Sequence, residues 1–108
     1  MKPIDSQSKV VANNKHYPLF SGLLAYFPDA CMAVANASYV GNEQHNSGEP
    51  LHWAREKSAD HEDALMRHLR LRGTIDSDSI PHSAKVAWRA LAMLQLELER
   101  SGQAKTPD

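Results

Sequence analysis

The stretch from Pro81 to Ser101 constrains the fold of this chain more than any other. Its apolar residues recur at steps of three and four, which is the spacing of one packed face of an α-helix. Ser79 as a cap, Pro81 in the first turn and Gly102 as a stop predict a helix over residues 81–101. The predicted packed face consists of Ala84, Ala87, Trp88, Leu91, Leu94 and Leu98.

Two further helices are predicted earlier in the chain. Pro28 suits the first turn of a helix and Gly41 suits its end, which predicts a helix over residues 28–40. Ser58 suits the capping position of another helix over residues 59–72, with acidic residues in its first turn and basic ones in its last. No stretch shows the alternating pattern of a strand.

The chain has 108 residues, which is enough for one domain with one hydrophobic core. We expect an all-α fold, a small bundle of three main helices with a long loop over residues 41–57. Residues 1–14 are predicted to be a flexible arm, residues 15–101 a single helical domain, and residues 102–108 a flexible tail. An irregular segment before the first helix is expected to pack its apolar side chains onto the core: Leu19, Phe20, Leu23, Leu24 and Phe27.

The predicted third helix carries a second apolar strip, formed by Val86, Ala90 and Met93 on roughly the opposite side. A helix of a three-helix unit has little reason to be apolar on two sides unless it is central or contacts another subunit. The strip therefore predicts a homo-oligomer.

Composition excludes several classes of protein. The 12 Lys and Arg residues are balanced by 13 Asp and Glu residues, which argues against a broad nucleic-acid-binding surface. Cys31 is the single cysteine, so neither an internal disulfide nor a cysteine zinc site is available, and a cytoplasmic location is expected. No apolar run approaches the roughly 18–20 residues that span a bilayer, so no membrane partner is expected.

Carboxylates in two places are candidate ligands of a divalent cation. Asp60 and Asp63 lie one turn apart with Arg67 on the same face of the predicted second helix, and Mg²⁺ takes such hard oxygen ligands. Asp76 and Asp78 are separated by one residue in the turn before the third helix. Both pairs have an ordinary structural interpretation as well, since acids are common in first helical turns and in capping turns.

Cationic groups at the start of the third helix are candidate phosphate ligands. His82, Lys85 and Arg89 share one face, beginning where free backbone N–H groups also favour anions. The alternative is that this face is simply solvated. In the loop, Trp53 could stack on a base and Asn46 could bond its edge, although Trp53 is equally well interpreted as a core anchor.

Two histidines of the predicted second helix are weaker candidates. His61 and His68 lie near one another in angle but two turns apart, which is too far for one metal ion. His68 is more typical of a hydrogen-bonded packing histidine than of a ligand.

Several short runs in this order resemble the small proteins, common in phages, that carry a dATP/dGTP diphosphohydrolase-type domain. The resemblance covers residues 17–100. The runs are Tyr26-Phe27-Pro28-Asp29-Ala30, Gly41-Asn42-Glu43-Gln44-His45-Asn46, Pro50-Leu51-His52-Trp53, Asp63-Ala64-Leu65-Met66-Arg67-His68-Leu69 and Pro81-His82-Ser83-Ala84-Lys85-Val86-Ala87-Trp88-Arg89-Ala90-Leu91.

The resemblance implies an all-α, oligomeric, nucleotide-binding protein distantly similar to MazG-like pyrophosphohydrolases, which use Mg²⁺ held by helix carboxylates. By position it carries over Asp63, Arg67 and His68 in the central run, Asp76 or Asp78 in the acidic turn, and His82 and Lys85 at the start of the last helix. The chain departs from the MazG-like pattern because the paired ExxE and ExxD motifs are absent from its sequence. Asp60 and Asp63 with Asp76 and Asp78 would have to replace them.

The expected function is a purine (d)NTP pyrophosphohydrolase that depends on Mg²⁺, or on Mn²⁺ in its place, in the cytoplasm of a phage-infected cell. Asp63, Asp78 and His82 are the expected catalytic residues. Arg67, His82, Lys85 and Arg89 are expected to bind phosphate, Asn46 and Trp53 the base, and Asp60, Asp63, Asp76 and Asp78 the metal. The alternative is a helical oligomer that sequesters nucleotides or cyclic nucleotide signals without turnover, as a phage counter-defence protein would.

Overall fold

The protein is described here by a computed structural model, which covers residues 14–102. Three α-helices dominate it: α1 (Pro28–His45), α2 (His61–Arg70) and α3 (His82–Arg100). Residues 14–102 form no β-strand, and one isolated bridge joins Ile75 to Pro81. The all-α prediction is therefore confirmed. The predicted arm and tail lie outside the described residues, apart from Asn14 and Gly102.

The core forms where α2 and α1 both pack against α3. Ala64 of α2 is fully buried, and Ala84 and Ala92 of α3 are buried too. Alanine at these positions allows the helix axes to approach closely. Ile80, in the turn before α3, is the largest side chain among the described residues that is fully buried.

The face of α3 that packs inward differs from the predicted one. Ala84 is buried as expected, but Leu91 and Leu94 are 55% and 51% exposed. The stripe of His82, Lys85 and Arg89, for which a solvated face was the alternative interpretation, is buried or half-buried instead. Periodicity identifies a helix with two distinct sides, but it does not determine which side meets the neighbouring helix.

Helix α1 is longer than predicted, since it continues through Gly41 to His45. The buried Asn42 explains the extension, because its side-chain Nδ2 donates to the backbone oxygen of Glu49 at 3.0 Å. That contact offsets the cost of about 1 kcal/mol that a glycine imposes on a helix interior. The predicted 41–57 loop is correspondingly shortened, and it ends in a 3₁₀ turn over Arg55–Lys57.

The starts of the other two helices also shift by one or two residues. Asp60 occupies the N-cap position of α2 without a side-chain hydrogen bond to the helix, and Ser58 donates a 3.0 Å hydrogen bond to its carboxylate. Pro81 precedes α3 rather than forming its first residue, and Ser79 lies in the turn before it with φ 69°.

The segment before α1 is irregular, as predicted, but it does not pack onto the core. It contains a π-helical turn over Phe20–Leu24, closed by a hydrogen bond of 2.7 Å from the Ala25 N–H to the Phe20 oxygen. Phe20 is 73% exposed, and the other apolar side chains of the segment are exposed as well: Leu19, Leu23, Leu24 and Phe27. The prediction that they reach this chain's core is wrong.

Trp88 joins the helices to the loop. Its indole Nε1 donates to Ser38 Oγ of α1 at 2.6 Å. Its ring meets Trp53 edge to face at 5.8 Å and lies 6.3 Å from the ring of His61 on α2. The helices of the described chain are all too short or too polar to cross a lipid bilayer.

Candidate functional site

Four of the predicted site residues converge where α2 ends and α3 begins. Lys85 Nζ donates to Asp76 Oδ2 and to Asp78 Oδ2, both at 2.7 Å. His82, the first residue of α3, is buried, and its Nε2 lies 3.9 Å from Asp76 Oδ1. Gln44 of α1 donates to Asp78 Oδ2 at 3.2 Å, so the last turn of α1 also reaches this group.

A tight turn holds the two carboxylates. The Asp76 N–H donates to the Ile80 oxygen and the Ser79 N–H donates to the Asp76 oxygen, each at 2.9 Å. The Asp78 carboxylate accepts the Ile80 N–H at 3.1 Å, which is a common side-chain contact of aspartate in turns. The buried Ile80 side chain then anchors the turn to the core.

His68 belongs to the same group, although its spacing favoured a packing role. Its Nδ1 lies 2.9 Å from Nδ1 of His82, with the two rings 5.1 Å apart. Two neutral imidazoles satisfy such a contact when one nitrogen donates and the other accepts. The sequence shows that His68 shares one face of α2 with His61 and Ala64, but it does not show that this face meets His82.

Charge pairing shifts the pKa values of this group. The hydrogen bond from Lys85 lowers the pKa of Asp76 to about 2. Burial acts to raise the pKa of Asp78, but the Lys85 and Ile80 hydrogen bonds outweigh it and the pKa is lowered. Burial likewise opposes the charge on Lys85, yet its two carboxylate partners raise its pKa. The pKa of His68 is lowered by burial and then by the charge of Lys85.

A second polar group lies near the start of α2. Arg89 Nη1 donates to Ser58 Oγ at 2.7 Å and to His61 Nδ1 at 3.0 Å, and it lies 3.9 Å from Asp60 Oδ1. Arg67 forms a more exposed ion pair with Asp60, at 3.5 Å. Because Asp60 precedes His68 by eight residues, about 12 Å of helix axis separates these two residues, whereas Lys85 and Arg89 lie one turn apart on α3.

His61 is held neutral in this second group. Arginine can only donate, so His61 Nδ1 accepts and its proton must lie on Nε2. That Nε2 is buried without a hydrogen-bond partner in residues 14–102. Burial first, and then the charge of Arg89, lower the pKa of His61, against smaller opposing effects of Asp60 and Glu62.

A loss of stability on mild acidification follows from the lowered pKa of His61. Below the ordinary histidine value of 6.5, the unfolded chain takes up a proton more readily than the folded one. We therefore expect the free energy of unfolding to fall as the pH drops below that value, and the fall to be shallower in His61→Gln. Urea titrations at a series of pH values measure this slope, with exposed His45→Gln as the control that keeps it. An unchanged slope in His61→Gln would contradict the assignment.

The remaining predicted residues lie outside these two groups. Asp63 is exposed on α2, in an open depression that it shares with Met66, Arg67, Leu69, Arg70 and Arg72. Asn46 follows α1, where its Nδ2 donates to Asn42 Oδ1 at 3.4 Å. One face of Trp53 is covered by the guanidinium of Arg55 at 4.1 Å, and Arg55 is held by a 2.7 Å ion pair with Glu99.

The donor atoms favour one kind of metal site over another. The carboxylates of Asp76 and Asp78 already share the Lys85 ammonium, so an ion bound by that pair has to displace it. One oxygen of Asp76 and one ring nitrogen each of His68 and His82 lie within 4.8 Å of one another. This second set offers two nitrogens and one oxygen, which suits transition metals better than Mg²⁺.

Comparison with known proteins bears on the whole chain. The family model described as dATP/dGTP diphosphohydrolase, N-terminal, matches residues 7–106. A comparison with curated proteins finds no match, and neither does a comparison with solved structures. Since the match spans more than nine-tenths of the sequence, the chain belongs to the dATP/dGTP diphosphohydrolase N-terminal family.

Proposed function

We propose that this protein hydrolyses purine (d)NTPs to the monophosphate and pyrophosphate in the nucleotide pool of a phage-infected cell, in the host cytoplasm. Membership of the diphosphohydrolase family supports a nucleotide substrate. The observation that carries the proposal is the meeting of carboxylates, a buried histidine and a lysine at the α2–α3 junction. Phosphoanhydride hydrolysis needs both anionic groups to position a metal and cations to neutralise phosphate.

The cations of α2 and α3 are proposed to bind the phosphates: Arg67, His82, Lys85 and Arg89. Lys85 is hydrogen-bonded to Asp76 and Asp78 in the free protein, so it would exchange these partners for phosphate oxygens. Arg89 would likewise give up its hydrogen bonds to Ser58 and His61 and donate to phosphate oxygens instead. The base would lie at the loop, where it would stack on Trp53 in place of the Arg55 guanidinium and would bond Asn46 in place of Asn42.

The proposed metal ligands are Asp60, Asp63, Asp76 and Asp78, with Mg²⁺ or Mn²⁺ as the ion by similarity to MazG-like enzymes. When bound, such an ion polarises phosphoryl oxygens and lowers the pKa of a water molecule. Asp78 would orient the attacking water, and His82 would lie beside the phosphate. Asp63 is exposed on α2 outside this group, so its proposed catalytic part requires that substrate binding bring it toward the turn. The release of Lys85 from Asp76 and Asp78 would then free one cation for substrate and two carboxylates for metal.

Turnover of dATP and dGTP tests this proposal directly. The purified protein with Mg²⁺ or Mn²⁺ is expected to release pyrophosphate, and Asp63→Asn and Asp78→Asn are expected to lower kcat by at least about a hundredfold. Asp29→Asn, at the start of α1 and away from both polar groups, is the matched control that keeps activity. The absence of pyrophosphate release across a panel of nucleotides and both metals would exclude the hydrolase.

Sequestration of nucleotides or cyclic nucleotide signals is the second candidate function. It is favoured by the absence of paired ExxE and ExxD motifs from the sequence and by the ion pairs of Lys85, which occupy the carboxylates of Asp76 and Asp78 that catalysis would need for metal. Calorimetric titration with dATP and with a cyclic dinucleotide separates the two functions. A sequestering protein keeps its affinity in Asp63→Asn and Asp78→Asn and releases no product.

We also propose that the protein is a homo-oligomer. Support comes from Leu91 and Leu94 of α3 and from Phe20 and Phe27 before and at the start of α1, all of them more than half exposed. Apolar side chains at this density are typical of subunit contacts. Light scattering is expected to give a mass of more than one chain, and a single-chain mass at micromolar concentration would exclude the oligomer.

A further inference from the structure

The three potential metal donors at the α2–α3 junction come from three different parts of the chain. His68 lies near the end of α2, Asp76 in the turn, and His82 at the first position of α3. Their donor atoms nevertheless lie within 4.8 Å of one another. A set of this kind depends on the tertiary structure, because no local sequence motif holds the three residues together.

The backbone around the donors is held by several contacts. The His82 N–H donates to the Thr74 oxygen at 3.0 Å, and the Asp76 N–H donates to the Ile80 oxygen at 2.9 Å. His82 is only 7% exposed, and the fully buried Ile80 lies between the acidic turn and α3. Ligands fixed in this way lose little conformational entropy when an ion binds.

The contact between the two imidazoles is polar, a hydrogen bond that a shared ion would replace. Their Nδ1 atoms lie 2.9 Å apart, so each ring directs a polar atom at the other rather than at an apolar neighbour. Ligands at 2.0–2.1 Å from a tetrahedral ion lie about 3.3 Å from one another. The histidine nitrogens are thus already near the spacing that a shared ion requires.

The chemistry of the donors indicates which ion fits. Two imidazole nitrogens and one carboxylate oxygen are typical ligands of Zn²⁺, Co²⁺ and other first-row transition metals. Mg²⁺ prefers oxygen ligands in a near-octahedral arrangement. Three protein ligands also leave at least one coordination position for water or another oxygen ligand.

Lys85 lies beside the three donor residues and opposes the binding of a cation there. Its ammonium donates to Asp76 Oδ2 at 2.7 Å, while the other carboxylate oxygen, Oδ1, faces His82. The positive charge of Lys85 opposes a cation at the adjacent position, and its removal would relieve that repulsion. The same lysine therefore holds the turn in place and weakens binding of a divalent ion.

We propose that His68, Asp76 and His82 form a binding site for a divalent transition metal ion, which shares Asp76 with the carboxylate site proposed for Mg²⁺ but differs from it in its two nitrogen ligands. The site takes one ion per chain and selects it by its nitrogen ligands. It does not depend on nucleotide turnover, because the three donors converge in the free protein.

Titration of the intact protein with Co²⁺ tests the site. Co²⁺ bound to imidazole nitrogens absorbs visible light, and we expect one equivalent to bind, with Zn²⁺ displacing it and Mg²⁺ failing to do so. His68→Ala and His82→Ala are expected to weaken Co²⁺ binding by more than about a hundredfold, since each removes a direct ligand. His52→Gln, an exposed histidine of the loop, is the control that leaves the affinity unchanged.

Lys85→Met provides a test in the opposite direction. Loss of the ammonium is expected to raise the affinity for Co²⁺ by at least about tenfold, because the repulsion disappears and Asp76 is released. Circular dichroism is used to check that each variant is folded. If His82→Ala does not fold, His68→Ala alone tests the site. The proposal is overturned if the intact protein binds no Co²⁺, if folded His68→Ala binds it as well as before, or if Lys85→Met binds it more weakly.

Discussion

Ile80→Ala is expected to lower the free energy of unfolding by about 2–4 kcal/mol, which is the usual cost of truncating a fully buried isoleucine. Ile80 is 1% exposed, and it lies in the chain between the acidic residues of the turn and the first residue of α3. Its backbone bonds to Asp76 and Asp78 remain possible in the alanine variant. The expected loss therefore reflects the cavity rather than the hydrogen bonds.

Ile75→Ala is a matched control for this substitution. Ile75 lies five residues earlier, on the other side of the same turn, and it is 63% exposed. Its truncation is expected to cost less than about 0.5 kcal/mol, as at most surface sites. Urea unfolding at one fixed protein concentration measures both variants, because an oligomer makes stability depend on concentration. Equal losses would show that Ile80 does not anchor the turn.

Trp88→Ala is expected to cost about 3 kcal/mol, the low end of the range for truncating a large aromatic residue, because Trp88 is half-buried. Trp88 contacts three separate parts of the chain: Ser38 of α1, Trp53 of the loop and His61 of α2. Its loss leaves a cavity where α1, α2 and the loop meet α3. We also expect the loop to lose its fixed position, because Trp53 has its edge-to-face partner in Trp88.

Two milder variants distinguish the contribution of ring packing from that of the indole hydrogen bond. Ser38→Ala removes only the acceptor of the 2.6 Å bond, which is expected to cost about 1–3 kcal/mol if the indole N–H is left without a partner. Trp88→Phe keeps an aromatic ring and is expected to fall between Ser38→Ala and Trp88→Ala. Chemical unfolding measures the series, and near-ultraviolet circular dichroism reports the tryptophan pair. A Trp88→Ala loss no larger than that of Ser38→Ala would show that the ring packing contributes little.

The distribution of polar and apolar side chains in this fold is unusual for a small helical domain. The seam between α2 and α3 holds histidines, a lysine, an arginine and acids, whereas Leu91, Leu94 and the side chains before α1 face outward. Burying polar groups is costly unless they are paired, and here the pairing is extensive. The stability and the candidate chemistry therefore depend on the same residues.

The helices themselves could be predicted from the sequence. Proline and glycine positions, the acid and base distribution of α2 and the periodicity of α3 predict three helices in the correct order. The main error in the boundaries occurs at Gly41, where the contact of Asn42 with Glu49 carries α1 one turn further. A local stop signal was overridden by a contact seven residues away along the chain.

The candidate site was predictable only in part. Asp76, Asp78, His82 and Lys85 lie in one short stretch, so their proximity follows from sequence distance alone. The sequence predicts a packing role for His68, because nothing local indicates that the end of α2 meets the start of α3. The spacing of His61 and His68 predicts only that they are too far apart to share one metal ion, and the structure places them against Arg89 and His82 respectively.

The sequence by itself determined the all-α class, the order of the helices and the composition of the acidic turn, since these depend on local conformational preference and on periodicity. Only the tertiary structure decided that the polar stripe of α3 faces α2 while Leu91 and Leu94 face outward. It also decided that His68 meets His82 and that Lys85 bridges Asp76 and Asp78. The physical reason is that burying either face of α3 gives a comparable gain in free energy. Which face is buried then depends on the contacts of the entire chain.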